Sequence, residues 1–213
     1  MAIWFWLKRP KKAIARIRYW FWEGLNPDKP WLCPETVRFC QAHLTKSMVA
    51  IEFGSGRSTR WFATLVGHLI SVEHNHKWYK IVKKQLADAG ITNVDYRFVP
   101  LNHPESDPEQ PEYSPLPDYV AVADELADQS IDFAVVDGHY RTHCVRHIIP
   151  KIAPGGYLLV DDVNRWPSPE ALPIPKSWSI VNDSTNGIKR CIIWQATKPS
   201  VVADSGAVEV SGT

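Results

Sequence analysis

Residues 49–59, VAIEFGSGRST, carry the pattern from which the fold is predicted. The apolar run that ends at Phe53 contains β-branched side chains and is typical of a buried strand. Gly54 and Gly56 lack the Cβ atoms that would keep a ligand away from the backbone. Ser58 and Thr59 can cap a following helix, whose first amide groups would point at a ligand above the strand. The stretch therefore predicts a ligand-binding junction between a strand and a helix.

Length and composition indicate one ordinary domain. The chain has 213 residues, a formal net charge of +1 and a pI near 7.7, so nothing draws it globally to nucleic acid, and no DNA partner is expected. Its four cysteines have no metal-ligand spacing and are expected to be reduced thiols. No run of 18 apolar residues and no secretory signal pattern is present, which favours a cytoplasmic location.

Helix-like and strand-like segments alternate between residues 34 and 195, as in a parallel α/β sheet. Helices are predicted at 34–44, 58–65, 76–89, 119–128 and 141–152. Strands are predicted at 49–53, 69–73, 94–99, 131–136, 157–160, 179–181 and 190–195. The last two strands flank the turn-rich residues 182–187 and are expected to form an antiparallel hairpin. The predicted fold is a doubly wound, mostly parallel seven-stranded sheet over residues 33–197, with a helical extension at 1–32 and a fraying tail at 198–213.

Acidic side chains follow several of these strands. Glu73 ends the second strand, the triplet 137–139 (Asp-Gly-His) follows the fourth, and Asp161 and Asp162 follow the fifth. Because ligands of parallel α/β sheets bind beyond the carboxyl ends of the strands, we expect these groups to share one site. A carboxylate at Glu73 can accept hydrogen bonds from two ribose hydroxyls, which predicts a nucleoside ligand.

Four motifs resemble those of the class I S-adenosylmethionine-dependent methyltransferases, which have a Rossmann-like fold. They are EFGSGRST at 52–59, SVEH at 71–74, FAVVDG at 133–138 and APGGYLLVDD at 153–162. The resemblance covers roughly residues 34–195, with the motifs in family order.

The resemblance implies S-adenosylmethionine as the cofactor and assigns its contacts. Glu52, Gly54 and Gly56 of the first motif would hold the amino acid end, and Ser55, Ser58 and Thr59 of the same motif are further expected cofactor-binding residues. The ribose hydroxyls would bind Glu73, and the adenine would lie beside His74, with Val99, Pro100 and Leu101 as candidates for its far side. Asp137 and Gly138 would face the methionine end or the substrate.

Two catalytic hypotheses follow from the same strand ends. Methyl transfer from a sulfonium needs alignment and removal of a proton, and Asp137 and His139 are the predicted catalytic residues, with the imidazole as the base. Alternatively, Asp137, Asp161 and Asp162 resemble the metal ligands of the catechol and caffeoyl-coenzyme A O-methyltransferases, which would imply magnesium or calcium. The chain departs from that pattern at Asp162, where asparagine is usual, and at 137–141, where a lysine-bearing segment is expected.

The acceptor is expected to be a small molecule methylated on oxygen or nitrogen. One alternative is a nicotinamide-dependent oxidoreductase, but Thr59 stands where a dinucleotide fingerprint has its third glycine. Another is a non-catalytic nucleoside-binding or membrane-docked interaction module. The intact pattern of Gly54, Gly56, Glu73 and Asp137 favours the enzyme.

Two further segments are distinctive. Residues 1–32 are rich in tryptophan and basic residues, and Ile14, Ile17 and Phe21 recur at helical spacing between Lys11 and Trp22, which predicts a short amphipathic helix. It could pack on the domain, pack on a second subunit in a homodimer, lie on a membrane surface, or bind RNA. The proline-rich loop 103–118 is interpreted as either a lid or a disordered excursion.

Overall fold

Seven strands form one sheet: β1 (Val49–Phe53), β2 (His68–Glu73), β3 (Val94–Phe98), β4 (Ile131–Val136), β5 (Ile152–Val160), β6 (Ser179–Thr185) and β7 (Arg190–Gln195). The structure is a computed structural model that describes residues 10–103 and 112–198. The strand order is β3-β2-β1-β4-β5-β7-β6; β7 pairs antiparallel with both β5 and β6, and the other pairs are parallel. The predicted mostly parallel sheet with a closing antiparallel hairpin is confirmed.

The helices of the described residues are α1 (Pro10–Leu25), α2 (Pro34–His43), α3 (Arg57–Leu65), α4 (His76–Asp88), α5 (Asp118–Ala121) and α6 (Arg141–Ile148). Short 3-10 turns cover Val122–Glu125, Ile149–Lys151, Val163–Arg165 and Pro169–Ala171. None of these helices is long and apolar enough to cross a bilayer.

Both faces of the sheet are covered, because side chains along each strand alternate between two apolar clusters. Ile51 and Phe53 of β1 face a cluster that includes Tyr119 and Val145, whereas Ala50 faces a second cluster that includes Phe62. This doubly wound arrangement buries β1 from Ala50 to Phe53 and places its carboxyl end where the strand order reverses, between β1 and β4. Such a switch point opens a crevice for a ligand.

Two helices are shorter than predicted. The helix predicted at 119–128 is wrong beyond Ala121, because the chain tightens into the 3-10 turn Val122–Glu125, which buries Val122 and Ala123. The helix predicted at 141–152 ends at Ile148, since Pro150 cannot donate the next backbone hydrogen bond.

Two strands are longer than predicted. The Pro-Gly-Gly run at 154–156 was expected to precede the fifth strand, but β5 already begins at Ile152 and passes through it by a register shift against β4. The hairpin turn predicted at 182–187 is also wrong in extent, because β6 continues to Thr185. Ser184 is buried there and its hydroxyl lies 2.6 Å from that of Thr36 on α2. The turn contracts to residues 186–189, where the Asn186 side chain accepts the Ile188 and Lys189 amides at 3.0 Å.

Half of the proline-rich loop, residues 104–111, lies outside the described residues, as do residues 1–9 and most of the C-terminal tail, so its interpretation as a lid or a disordered excursion stays a prediction. The described residues on either side of 104–111 are close together, since the rings of His103 and Tyr113 are 4.7 Å apart.

Candidate functional site

Backbone hydrogen bonds hold the strand ends in register at the carboxyl edge of the sheet. The amide of Gly54 donates to the Val72 carbonyl at 3.0 Å, that of Asp137 to Phe53 at 2.9 Å, and that of Asp161 to Val136 at 3.1 Å. The residues that follow β1, β4 and β5 are therefore extensions of the sheet. A ligand at this edge meets a rigid floor.

Gly54 and Gly138 form the closest approach of this floor. Gly54 has φ +99°, and a Cβ built on it would lie 2.8 Å from the Gly138 backbone. A Cβ on Gly138 would lie 2.1 Å from the Tyr119 hydroxyl. The sequence-based reason for Gly54, access for a ligand, is thus incomplete, because the neighbouring backbone fills the space beside it.

Gly56 is different. Its backbone is extended, and a Cβ there would meet only the Ser58 hydroxyl and the Trp78 indole nitrogen, both at 3.9 Å. The space beside Gly56 is therefore large enough for a methyl group.

Alanine substitutions at Gly54 and Gly56 should have different effects on stability. Gly54→Ala should lower the free energy of unfolding by about 3 kcal/mol or more, through the positive φ and the clash with Gly138. Gly56→Ala should change it by less than about 1 kcal/mol, yet weaken nucleoside-ligand binding if the turn contacts the ligand. Urea unfolding and calorimetry on both variants measure these effects, and a stable Gly54→Ala protein would contradict the packing argument.

Glu52 lies beneath the turn rather than in an open site. Its side chain is 0 % exposed, and its carboxylate accepts hydrogen bonds from Ser58, from Thr59 at 2.7 Å and from Ser71 at 2.9 Å. Burial raises the pKa of Glu52 to about 7, against the lowering effect of these hydroxyl donors. The structure therefore gives Glu52, Ser58 and Thr59 a positioning role, joining β1 to the first turn of α3 under the glycines.

Glu73 ends β2 at the rim of the same turn and is 3 % exposed. One carboxylate oxygen accepts the amide of Asn75 at 2.7 Å and lies 3.2 Å from Nδ1 of His74. The other accepts the Ser55 amide at 3.2 Å and the Ser55 hydroxyl at 2.6 Å. The short bond from the serine hydroxyl is the kind that a ribose hydroxyl would make, so Ser55 occupies a position that a ligand can compete for.

A cavity of about 980 Å³ opens above these strand ends. Its floor contains the residues predicted from the motifs: Gly54, Ser55, Glu73, His74, Asp137 and Gly138. Its walls combine the aromatic or apolar side chains of Trp78, Ile81, Leu101, Tyr113, Tyr140 and Trp166 with the polar or charged ones of Asn75, Lys77, His139, Arg141 and Arg165. A concave site with aromatic surface and convergent polar groups is typical of small-molecule binding.

Arg141 organises the loop between β4 and α6. Its guanidinium donates to the carbonyls of Asp137 and Gly138 at 3.0 Å, to the Asp137 carboxylate at 3.0 Å, and to the Asp161 carbonyl. Tyr140 adopts a left-handed conformation at φ +50°, which for a non-glycine residue marks local strain that the surroundings must hold. His139 is thereby fixed on the cavity wall, with its ring 4.3 Å from that of His74.

Asp137 is poised to change charge near neutral pH. Burial raises its pKa to about 7, and the charge of Asp161 acts in the same direction, while Arg141 opposes both. A third of its side chain is exposed on the cavity side of the loop. Asp137 can therefore hold or release a proton within the working range of an enzyme.

The negative charge of Asp161 is balanced by a positively charged side chain of the protein itself. The Asp161 side chain is 1 % exposed, and it accepts from Lys189 Nζ at 2.6 Å and from the Cys191 thiol at 2.7 Å. Burial alone would lower the pKa of Lys189, but the charges of Asp161 and Asp137 hold it above its ordinary value. The same ammonium donates to the Trp31 carbonyl. Lys189 thus ties the segment before α2 to the end of β5.

The positively charged side chains around Asp137, Asp161 and Asp162 determine whether these carboxylates fit a resident metal ion. The structure brings Asp137, Asp161 and Asp162 together, with one oxygen of each within 4.8 Å of the others, as the metal hypothesis requires. However, Lys189 pairs with Asp161, and Arg141 lies 3.0 Å from Asp137 and 3.6 Å from Asp162. Arg165 adds a third positive charge, 3.3 Å from Asp162. A divalent cation would have to displace ammonium and guanidinium groups, so the donor set does not fit magnesium or calcium.

The predicted site residues divide into two groups. Gly54, Ser55, Glu73, His74, Asp137, Gly138 and His139 line the cavity. Glu52, Gly56, Ser58, Thr59, Val99, Pro100, Asp161 and Asp162 are not among its lining residues, and Leu101 takes the wall position for which Val99 and Pro100 were also candidates. The sequence reasoning did not single out Arg141, Lys189 or Tyr113, which the structure places at the site or in contact with its acidic residues. The signal for Arg141 was its place four residues after Asp137, whereas nothing local in the sequence marks Lys189.

Fold and site together define a Rossmann-like α/β protein with a nucleoside-type crevice at its switch point. The profile of the methyltransferase domain family matches residues 51–163, more than half of the chain. The chain therefore belongs to this family, with the fold of the class I S-adenosylmethionine-dependent methyltransferases. No curated protein sequence matches it.

Solved structures share the fold at low sequence identity. A methyltransferase-like protein from Silicibacter pomeroyi is 22 % identical, with a TM-score of 0.57 over 80 % of this chain and 90 % of the other. A methyltransferase from Geobacter sulfurreducens is 14 % identical, with a TM-score of 0.55 over 87 % of each chain. A protein from Streptococcus mutans, assigned as a methyltransferase and solved in complex with SAH, is 11 % identical, with a TM-score of 0.53 over 74 % and 93 %.

Proposed function

We propose that this methyltransferase uses S-adenosylmethionine to methylate an oxygen or nitrogen atom of a small molecule. The observation that carries the proposal is the convergence of Glu73, His74, Asp137 and His139 on one cavity above the Gly54–Gly138 contact. Family membership supports methyl transfer, and the strand-end acidic residue supports a nucleoside-bearing donor.

The donor end of the cavity is formed by the ends of β1 and β2. The Glu73 carboxylate can accept hydrogen bonds from the ribose hydroxyls in place of the hydrogen bond that it now accepts from the Ser55 hydroxyl. His74 and Leu101 supply flat and apolar surface for a base. The indole nitrogen of Trp78 donates to the Ser55 carbonyl at 2.9 Å and so fixes the turn against α4.

The acceptor end is formed by the loop after β4 and by two aromatic walls. Tyr113, His139, Tyr140 and Trp166 line the cavity there, and the Tyr113 and Tyr140 rings pack edge to face, 5.2 Å apart. Aromatic surface of this kind suits a small-molecule acceptor.

S-adenosylmethionine supplies an electrophilic methyl group on a positively charged sulfur. The protein must then align the acceptor and take up the proton that it loses. His139 is the base, because an imidazole can accept a proton near neutral pH and this one lies on the cavity wall. Arg141 positions His139 through the carbonyls of Asp137 and Gly138.

Calorimetry with two ligands tests the donor. S-adenosylhomocysteine should bind the purified protein in the micromolar range and NAD should not bind, because the third glycine of a dinucleotide fingerprint is replaced by Thr59. Binding of NAD but not S-adenosylhomocysteine would overturn the proposal. A screen of acceptor classes with labelled S-adenosylmethionine then tests the second substrate.

Glu73 and Ser55 form a matched pair for the ribose contact. Glu73→Ala should weaken S-adenosylhomocysteine binding at least about fivefold, equivalent to about 1 kcal/mol, because the hydroxyl acceptor is lost. Ser55→Ala should leave the affinity unchanged or raise it, since the ligand no longer competes with the serine hydroxyl for Glu73. If Ser55→Ala weakened binding as much as Glu73→Ala, the hydroxyl would be a ligand contact and the exchange argument would be wrong.

A further inference from the structure

One face of α1 fixes this helix to the body of the protein. Tyr19 is buried, and its hydroxyl donates to the Leu32 carbonyl at 3.1 Å, while its ring stacks on that of Trp22 at 5.6 Å. Ala15 lies against Gly187 so closely that a Cβ on the glycine would come within 2.4 Å of it. The orientation of the helix is therefore determined by Ala15, Tyr19 and Trp22.

The opposite face of α1 carries a stripe of large apolar side chains. Ile14, Ile17, Phe21 and Leu25 are 58 %, 56 %, 59 % and 82 % exposed. Their spacing of three and four residues places them side by side along the helix. The amphipathic helix predicted from the first three is confirmed as a helix, but its apolar stripe points away from the domain. A patch of this kind marks an interaction site rather than a core.

Basic side chains border this stripe. Lys11 and Arg18 lie three residues before and four residues after Ile14, on one flank. Trp20, 61 % exposed, borders the other flank, with Arg16 four residues before it. The helix holds four basic residues and one acidic residue, whereas the whole chain has a formal net charge of only +1. Two of the four basic residues, Lys11 and Arg18, border the exposed apolar stripe, whereas Lys12 and Arg16 lie farther around the helix and Arg16 pairs with Glu23 at 3.5 Å.

We propose that α1 docks this protein on the surface of a membrane that contains anionic phospholipid. Aliphatic side chains would enter the boundary of the acyl chains, Trp20 would lie at headgroup depth, and Lys11 and Arg18 would face lipid phosphates. Charge complementarity selects this occupant over a second copy of the chain. A two-fold dimer through the stripe would bring the basic residues of both helices together.

Nucleic acid is a poorer match for the same face. Base stacking requires aromatic surface, but three of the four stripe residues, Ile14, Ile17 and Leu25, are aliphatic. Hydrocarbon is the environment that these side chains favour. The inference is independent of the proposed methyl transfer, because it uses no residue of the cavity.

Vesicle cosedimentation of the full chain tests the docking. The wild type should pellet with phosphatidylcholine vesicles that contain phosphatidylserine and much less with phosphatidylcholine alone. Ile17→Ser/Phe21→Ser should lose at least tenfold in vesicle affinity, and Lys11→Gln/Arg18→Gln should lose affinity mainly at low salt. Matched controls are Ile180→Ser for exposed apolar surface and Lys80→Gln/Lys83→Gln for charge, both of which should pellet like the wild type.

Three results would overturn the proposal. These are wild-type protein that stays in the supernatant with anionic vesicles, equal pelleting of the stripe variant and the wild type, and a wild-type dimer that the stripe variant dissociates. Circular dichroism checks that the variants fold. If the stripe variant does not fold, Lys11→Gln/Arg18→Gln carries the test alone, and unchanged binding of that variant at low salt rejects the lipid surface.

Discussion

Replacing Lys189 with methionine is expected to destabilise the protein by about 3 kcal/mol, because it leaves a buried carboxylate without its positive partner. Asp161 is 1 % exposed, and Lys189 Nζ lies 2.6 Å from it. The Cys191 thiol, a weak donor, would be the remaining side-chain partner that the structure shows for this carboxylate. Urea denaturation followed by circular dichroism measures the change.

The double variant Asp161→Asn/Lys189→Met separates this effect from simple loss of packing. It removes both charges, so it should recover most of the stability that Lys189→Met loses. If the double variant is as unstable as the single one, the ion pair is not the cause. Because the carboxylates already have internal cations, magnesium chloride and a chelator should both leave the thermal midpoint of the wild type unchanged. A rise with magnesium would revive the metal hypothesis.

Replacing His139 with alanine is expected to reduce turnover by about 100-fold or more, the usual contribution of a positioned general base. The affinity for S-adenosylhomocysteine should stay within about twofold, since the proposed donor contacts of Glu73 remain. The measurement needs single-turnover rates with an acceptor identified by the screen, and calorimetry for the donor product.

His74→Ala is the natural control, because the two imidazole rings are only 4.3 Å apart. It should weaken S-adenosylhomocysteine binding and leave turnover at saturating donor largely intact. Asp137→Asn addresses the competing base, since the pKa of this carboxyl is raised to about 7 by burial. If Asp137→Asn abolishes turnover with normal donor affinity while His139→Ala retains it, the proton goes to Asp137 instead.

The sheet was predictable because each strand is a short apolar run with its own boundary signals. All seven strands were predicted in chain order, and β1, β4 and β7 have the predicted bounds. Errors occurred where a tertiary contact overrides local chemistry. The Pro-Gly-Gly run is typical of a loop that separates a helix from a strand. However, Gly155 and Gly156 exchange backbone hydrogen bonds with Ala196 and remain in the sheet.

The candidate site was predictable only as far as residues follow a strand. Glu73, Asp137 and His139 are found this way. Lys189 belongs to a hairpin turn, 28 residues after its partner Asp161, and Tyr113 comes from a proline-rich loop. Their contacts depend on how distant segments fold together. The sign of the charge around Asp161 could therefore be determined only from the structure, and it reverses the interpretation of the acidic cluster as a metal site.

The contacts of residues 30–33 bear on how this protein should be produced. Composition places a boundary at residue 33, but Pro30, Leu32 and Cys33 are buried, and the Trp31 carbonyl accepts from Lys189. A recombinant chain that starts at residue 33 would expose apolar core and remove an acceptor of the Lys189 ammonium. Such a product would be prone to aggregation for reasons unrelated to α1. A recombinant chain that starts between the end of α1 and Pro30 would lack the helix but would keep Pro30, Leu32 and Cys33 in the core.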